Sequence, residues 1–205
     1  MNTHAIKRYI VALAIALLAV NAQAQSSPNS VIEDAAKLLD DSLKGRKEEL
    51  AKDKKQLYQL IDDILLPRFD RTYAAQLVLG PHWKSASGDQ RKQFIDAFYQ
   101  NLLRKYSDGV LEYDAGRIEI LPFRGDLSKP RVTVRTAVRL DDGTKVPVDY
   151  SLVKRNAGWL LFDVSIEGIS YVRNFRAELN AEINSSSLDA VINRLQSEAG
   201  IGVTE

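Results

Sequence analysis

Apolar residues recur every three or four positions between residues 31 and 111, and alternate with polar ones in the stretch that follows. Val31, Ala35, Leu38, Leu39 and Leu43 predict a first helix, which Gly45 interrupts. A charged stretch over residues 46–55 leads into Leu57, Leu60, Ile61, Ile64 and Leu65, the spacing of a helix with one buried face. Pro67 ends that helix and can open the next, because a helix's first turn needs no N–H there. Phe69, Tyr73, Leu77 and Val78 line its inner side, and Gly80-Pro81 stops it. Ser87-Gly88-Asp89-Gln90 is a capping box that starts the longest helix, along which Phe94, Phe98, Leu102 and Tyr106 fall every four residues.

After Tyr113 the period changes from helix to strand. Residues 117–121 make a short candidate. Over 131–140 Val132, Val134, Thr136, Val138 and Leu140 alternate with Arg131, Thr133, Arg135, Ala137 and Arg139. Asp141-Asp142-Gly143 predicts a hairpin turn, and Val146, Val148, Tyr150 and Leu152 carry the alternation back. A second turn at Asn156-Ala157-Gly158 leads into 159–166, where strict alternation puts Leu160, Phe162, Val164 and Ile166 on one face and Asp163 and Ser165 on the other. Gly168 ends the sheet. Ile169, Val172, Phe175, Leu179 and Ile183 predict another helix, and Ser185-Ser186-Ser187 caps a last one through Leu188, Val191, Ile192 and Leu195. Helices, an antiparallel meander, then helices make an α+β fold, with helical parts at about 31–113 and 168–199 and a sheet at about 116–167.

The N-terminal end changes the picture. Lys7 and Arg8, the uninterrupted apolar run 9–20 and Ala22-Gln23-Ala24 read as a signal peptide, residues 1–24, cleaved after Ala24. The apolar run is short for a bilayer span. Residues 25–205, about 180 of them, suffice for one domain with a sizeable core. The chain has no cysteine, which excludes disulfides, thiolate metal sites and a lipid-anchored cysteine after the signal. Without Lys7 and Arg8 the 28 basic residues no longer outnumber the 27 acidic ones, a balance that gives no support to nucleic-acid binding.

Catalytic chemistry has little to work with. His82 is the only histidine left after the signal, in a Gly-Pro-His-Trp turn with no partner at motif spacing. Asp163 and Glu167 sit in and just after an apolar strand. A carboxylate tuned to move protons is one reading; an exposed acid at 163 and a helix-capping one at 167 is the plainer one. Arg131, Arg135 and Arg139 share a strand face, a solvated surface or a docking patch for an acidic partner. Periodicity alone favours an ordinary packed core over a ligand cavity for the aromatic and aliphatic stripes.

Several stretches resemble one family. Val78-Leu79-Gly80-Pro81-His82-Trp83, followed by Asp89-Gln90-Arg91 and Phe94, is similar to the Leu-Gly-x-His-Trp segment of the MlaC family of periplasmic phospholipid-binding proteins, the toluene-tolerance auxiliary component family. Residues 162–170 resemble its Tyr-Asp-Val-x-Ile-Glu-Gly-Val-Ser signature, with Phe162 and Ile169 as replacements, and Asn174-Phe175-Arg176 resembles its Asn-Tyr-Arg. Phenylalanine at 162 and 175 means that no role needing a phenol carries over.

The resemblance implies a curved cystatin- or nuclear-transport-factor-like meander wrapped by helices around a deep apolar cavity. It implies a monomeric periplasmic carrier, not an enzyme, with no cofactor and phospholipid as cargo. Such a carrier is the substrate-binding component of an ABC transporter system, the Mla pathway, which maintains outer-membrane lipid asymmetry. Its partners are an inner-membrane ABC transporter complex bearing MCE domains and an outer-membrane lipoprotein–porin complex. On this reading Phe69, Tyr73, Leu77, Phe94, Phe98, Leu102, Tyr106, Val134, Val148, Tyr150, Leu152, Val164 and Ile166 are the candidates for the acyl cavity. Arg131, Arg135 and Arg139 are the docking candidates. A curved-sheet cavity enzyme acting on a small apolar substrate, with an inward acid such as Asp163, and a solidly packed periplasmic adaptor are the alternatives.

Overall fold

A computed structural model describes residues 27–200 of the chain; the signal peptide expected at 1–24 lies outside the described residues. Helix α1 (Pro28–Leu43) opens with the Ser27 side chain accepting from the Ser30 N–H. The charged stretch after it forms a short helix, α2 (Lys47–Lys52), anchored by the fully buried Leu50. Charged residues dominate its composition; besides Leu50, Lys47 ties it to the chain just past the end of the longest helix by donating to the Tyr113 carbonyl at 2.7 Å. Helix α3 (Lys54–Leu65) follows, then a single 3-10 turn (Leu66–Arg68) that contains Pro67. Asp70, not the proline, starts α4 (Arg71–Leu79), its carboxylate accepting from the Tyr73 N–H at 2.9 Å.

Gly80 ends α4 at φ 53°, ψ −117°, a positive-φ conformation open to glycine because it has no side chain. After one turn, α5 (His82–Ser85), the capping box forms in full: Ser87 Oγ accepts from the Gln90 N–H and the Gln90 side chain accepts from the Ser87 N–H. It launches α6 (Gly88–Leu111), the longest helix.

The sheet runs in order β1-β2-β3-β4-β5, every neighbour antiparallel: β1 (Ile118–Ile120), β2 (Arg131–Arg139), β3 (Lys145–Arg155), β4 (Gly158–Ile166) and β5 (Ile169–Ser170). The β2 alternation holds over its first half, with Val132, Val134 and Thr136 buried and the arginines exposed; Val138 is half-buried, and Leu140, expected on the same face, lies past the strand end and is exposed. In β4 it fails. Leu152 faces Leu161 while Ser151 faces Asp163, so Phe162 is an extra, bulged residue. The bulge puts Leu161, not Leu160, on the face of Val164 and Ile166; Leu160 pairs with Val153 on the opposite face. Glu167 and Gly168, both at positive φ, reverse the chain, so Ile169 belongs to β5 and not to the next helix. Helices α7 (Tyr171–Ser185) and α8 (Leu188–Glu198) complete the fold, capped by Ser170 and Ser187.

Apolar burial is divided among several clusters. The largest joins α4, α6, α7 and α8 around Phe94, Phe98, Phe175, Leu179, Val191 and Ile192. A second seats Val31 and Ile32 of α1 on Val132, Val134, Leu152 and Trp159 of the sheet. A third packs α1, α2 and α3 on α6 through Leu43, Leu50, Leu57 and Leu103. The fourth seats α4 behind the sheet, Ala74 on Val153 and Phe162. Among these layers α6 is held away from β4, and the space between them is the site.

Candidate functional site: an apolar cavity between α6 and β4

The cavity measures about 400 Å³. One wall is β4, through Leu161, Phe162, Val164 and Ile166; α6 gives the opposite wall through Phe98, Leu102, Leu103 and Tyr106. Val31 and Ile32 of α1, Ile61 and Leu65 of α3, and Tyr171, Val172 and Phe175 of α7 close the remaining sides. The Phe162 bulge matters directly, because it turns Leu161 onto the lined face and leaves Phe162 edge-on against Tyr73, ring centroids 5.0 Å apart at 71°.

Six of the thirteen expected cavity residues are at the wall: Phe69, Phe98, Leu102, Tyr106, Val164 and Ile166. The other seven lie elsewhere. Phe94 is fully buried in the helical core, stacked on Phe98 at 5.5 Å. Tyr73 and Leu77 pack behind the sheet with Leu160 and Val153. Val134, Leu152 and Tyr150 lie under α1. Val148 is buried beside Thr136, whose hydroxyl donates to the Val148 carbonyl at 2.8 Å. A second α6 stripe, Tyr99, Leu103 and Val110, one residue round the helix, also lines the cavity; sequence reasoning did not count it among the wall residues. Its own i, i+4, i+11 spacing was the available signal.

Polar groups at the wall are few. The Tyr99 hydroxyl donates to Asp62 at 2.5 Å; burial and then this carboxylate push its pKa well above the ordinary tyrosine value. Asp163 is at the wall, but both its carboxylate oxygens are bonded at the start of α7: it accepts from the Ser170 hydroxyl at 2.6 Å and the Val172 N–H at 2.9 Å. It thus does the capping expected of Glu167, which is exposed in the turn. A carboxylate committed to two donors at a helix N-terminus is poorly placed to move a substrate proton. Arg68 is the cation at this wall. Among the described residues no group of three or more His, Asp and Glu side chains converges as a metal site, and no helix is long and apolar enough to cross a membrane.

Arg131, Arg135 and Arg139 are all exposed on the sheet face away from α1, opposite Val153, Asp149 and Lys145 on β3. Among the described residues none of the three has an ion-pair partner; Arg131 makes one long contact, 3.4 Å, to the Tyr73 hydroxyl.

Comparison with known proteins bears on this arrangement. The family model "MlaC protein" matches residues 33–197. An intermembrane phospholipid transport system binding protein MlaC of Haemophilus influenzae is 23% identical over 97% of this chain and 96% of its own. The toluene tolerance protein ttg2D of Pseudomonas putida is 26% identical over 89% of this chain and 85% of its own. A solved structure of a phospholipid-binding protein from Ralstonia solanacearum, in complex with a phospholipid, shares the fold at TM-score 0.76 and 22% identity, over 85% of this chain and 98% of that one.

Proposed function

The chain belongs to the MlaC family, and we propose that it is a periplasmic carrier that takes up phospholipid acyl chains in the α6–β4 cavity and moves the lipid between the inner and outer membranes. The observation that carries this reading is the cavity: lined almost entirely by apolar side chains, of a size typical for ligand sites, and built in the fold of a protein solved with a phospholipid bound. A palmitoyl-length chain is unfavourable in water by on the order of 12 kcal/mol, at ~0.8 kcal/mol per methylene. A lipid therefore does not cross an aqueous compartment at useful rates unassisted. A cavity about as apolar as the bilayer makes uptake and release nearly balanced, and needs no catalytic group or cofactor.

On this reading the signal peptide is removed after Ala24, the monomer diffuses between an inner-membrane MCE-domain ABC transporter and an outer-membrane lipoprotein–porin complex, and outer-membrane lipid asymmetry is the outcome. Arg131, Arg135 and Arg139 are the proposed contacts to an acidic partner surface. A vesicle assay tests the carrier role: the mature chain added between donor vesicles of fluorescent phosphatidylglycerol and unlabelled acceptors should accelerate transfer in proportion to its concentration. No acceleration, together with no lipid taken up by the protein, would sink the proposal.

A further inference from the structure

Three arginines cluster where α3 meets α4 and the end of β3. Two have carboxylate partners: Arg155 donates to Asp70 at 2.7 Å, and Arg71 lies 3.7 Å from Asp96 with its guanidinium over the Tyr99 ring. The third, Arg68, has none among the described residues, and it is the one whose apolar stem lines the cavity. Its one protein bond runs from Nη1 to the Ile64 carbonyl at 2.7 Å, at the C-terminal end of α3. A guanidinium has five N–H donors in a planar fork, so most of its capacity is unspent. The backbone beneath it is fixed: Phe69 bridges to Leu161, and the Asp70 N–H donates to the Leu161 carbonyl at 2.8 Å. Arg68 is thus a partly buried cation that caps the end of α3, has no carboxylate partner among the described residues, and sits at the edge of an otherwise apolar cavity.

We propose that Arg68 binds the oxyanion of the lipid whose acyl chain fills the cavity, fixing the end at which the polar group rests. This rests on the carrier reading and names a specificity element within it. The shared chemistry is a bidentate oxyanion, matched to the guanidinium fork, and two sources supply it: the phosphodiester of a phospholipid or the carboxylate of a free fatty acid. The polar group then sits beside the α3–α4 turn, and the chain runs along α6 towards Tyr106. Helices α3 and α6 are antiparallel, since Asp62 meets Tyr99 while Lys54 meets Asp108. The Tyr106 level is therefore about 10 Å along the helix from Tyr99, at 1.5 Å rise per residue.

The test compares wild type, Arg68→Gln and Arg68→Lys by equilibrium binding of three probes: soluble short-chain phosphatidylglycerol, the neutral diacylglycerol with the same chains, and decanoate. Arg68→Gln should weaken an anionic probe about ten- to a hundredfold and leave diacylglycerol within about twofold, with Arg68→Lys, which keeps charge but not the fork, in between. Selective loss of phosphatidylglycerol identifies the phosphodiester as the source, and selective loss of decanoate the carboxylate. Equal weakening of all three probes, or of none, would overturn the assignment while leaving the carrier reading intact. Wild type that binds neither phosphatidylglycerol nor diacylglycerol would overturn the carrier reading itself, and this inference with it.

Discussion

Helix α6 serves two regions with the same kinds of residue. At its N-terminal end Phe94 is fully buried, with Val191, Ile192 and Leu179 in the same cluster, and stacks on Phe98 at 5.5 Å. One and two turns beyond Phe98, Leu102 and Tyr106 carry on the same stripe and line the cavity, the Tyr106 ring edge-on to Tyr171 of α7. The side chains do not make the difference. Helices α7 and α8 close directly on the first part, whereas a twisted sheet stands across from the second, held off by α1 on one side and the α3–α4 turn on the other. A core and a cavity can thus share one stripe, and only what lies opposite decides which is which.

Filling the cavity should produce the largest functional effect. Val164→Trp places a strand-compatible ring in the space. If it displaces about four methylenes of an acyl chain, binding should fall about a hundredfold with the melting temperature unchanged or raised, by lipid titration and calorimetry. Phe94→Ala should do the opposite. It empties a packed site and should destabilise the fold by about 3–5 kcal/mol, measured by urea unfolding, while the folded fraction binds lipid normally. Reversed outcomes would mean that the two regions have been exchanged.

Tyr99 sharpens the comparison with a smaller effect, because its ring lines the cavity while its hydroxyl is tied to Asp62. Its folded pKa is raised, so the unfolded chain loses this proton first, at about pH 10. The stabilisation is full below that pH and is lost as pH rises from there through the raised folded value. Tyr99→Phe should flatten this alkaline decline in a pH series of unfolding curves, cost about 1 kcal/mol near neutrality, and leave lipid affinity unchanged, since the wall keeps its ring.

What was legible in the sequence was what is local. The Ser87–Gln90 capping box, the Gly80 cap and the β2–β3 turn are each specified within a few residues, and the structure has all of them. The Phe162 bulge was not legible, because it depends on how β4 pairs with β3, and strict alternation therefore misassigned Leu160. The same non-locality divided the cavity candidates: Phe94 and Leu102 look alike in sequence, and Val134 and Leu152 alternate as well as Val164 does but lie beneath α1. Arg68 was missed because one arginine in a Leu-Pro-Arg-Phe turn has no periodic signal; its lack of a carboxylate is visible only in three dimensions.

The most direct measurement is native mass spectrometry of the protein, purified from a Gram-negative host without detergent, with bound species released and identified. A stoichiometric mass increment that resolves into phosphatidylethanolamine or phosphatidylglycerol, and that disappears in Val164→Trp, is the predicted result. A bare protein mass that remains bare after incubation with liposomes would contradict the account.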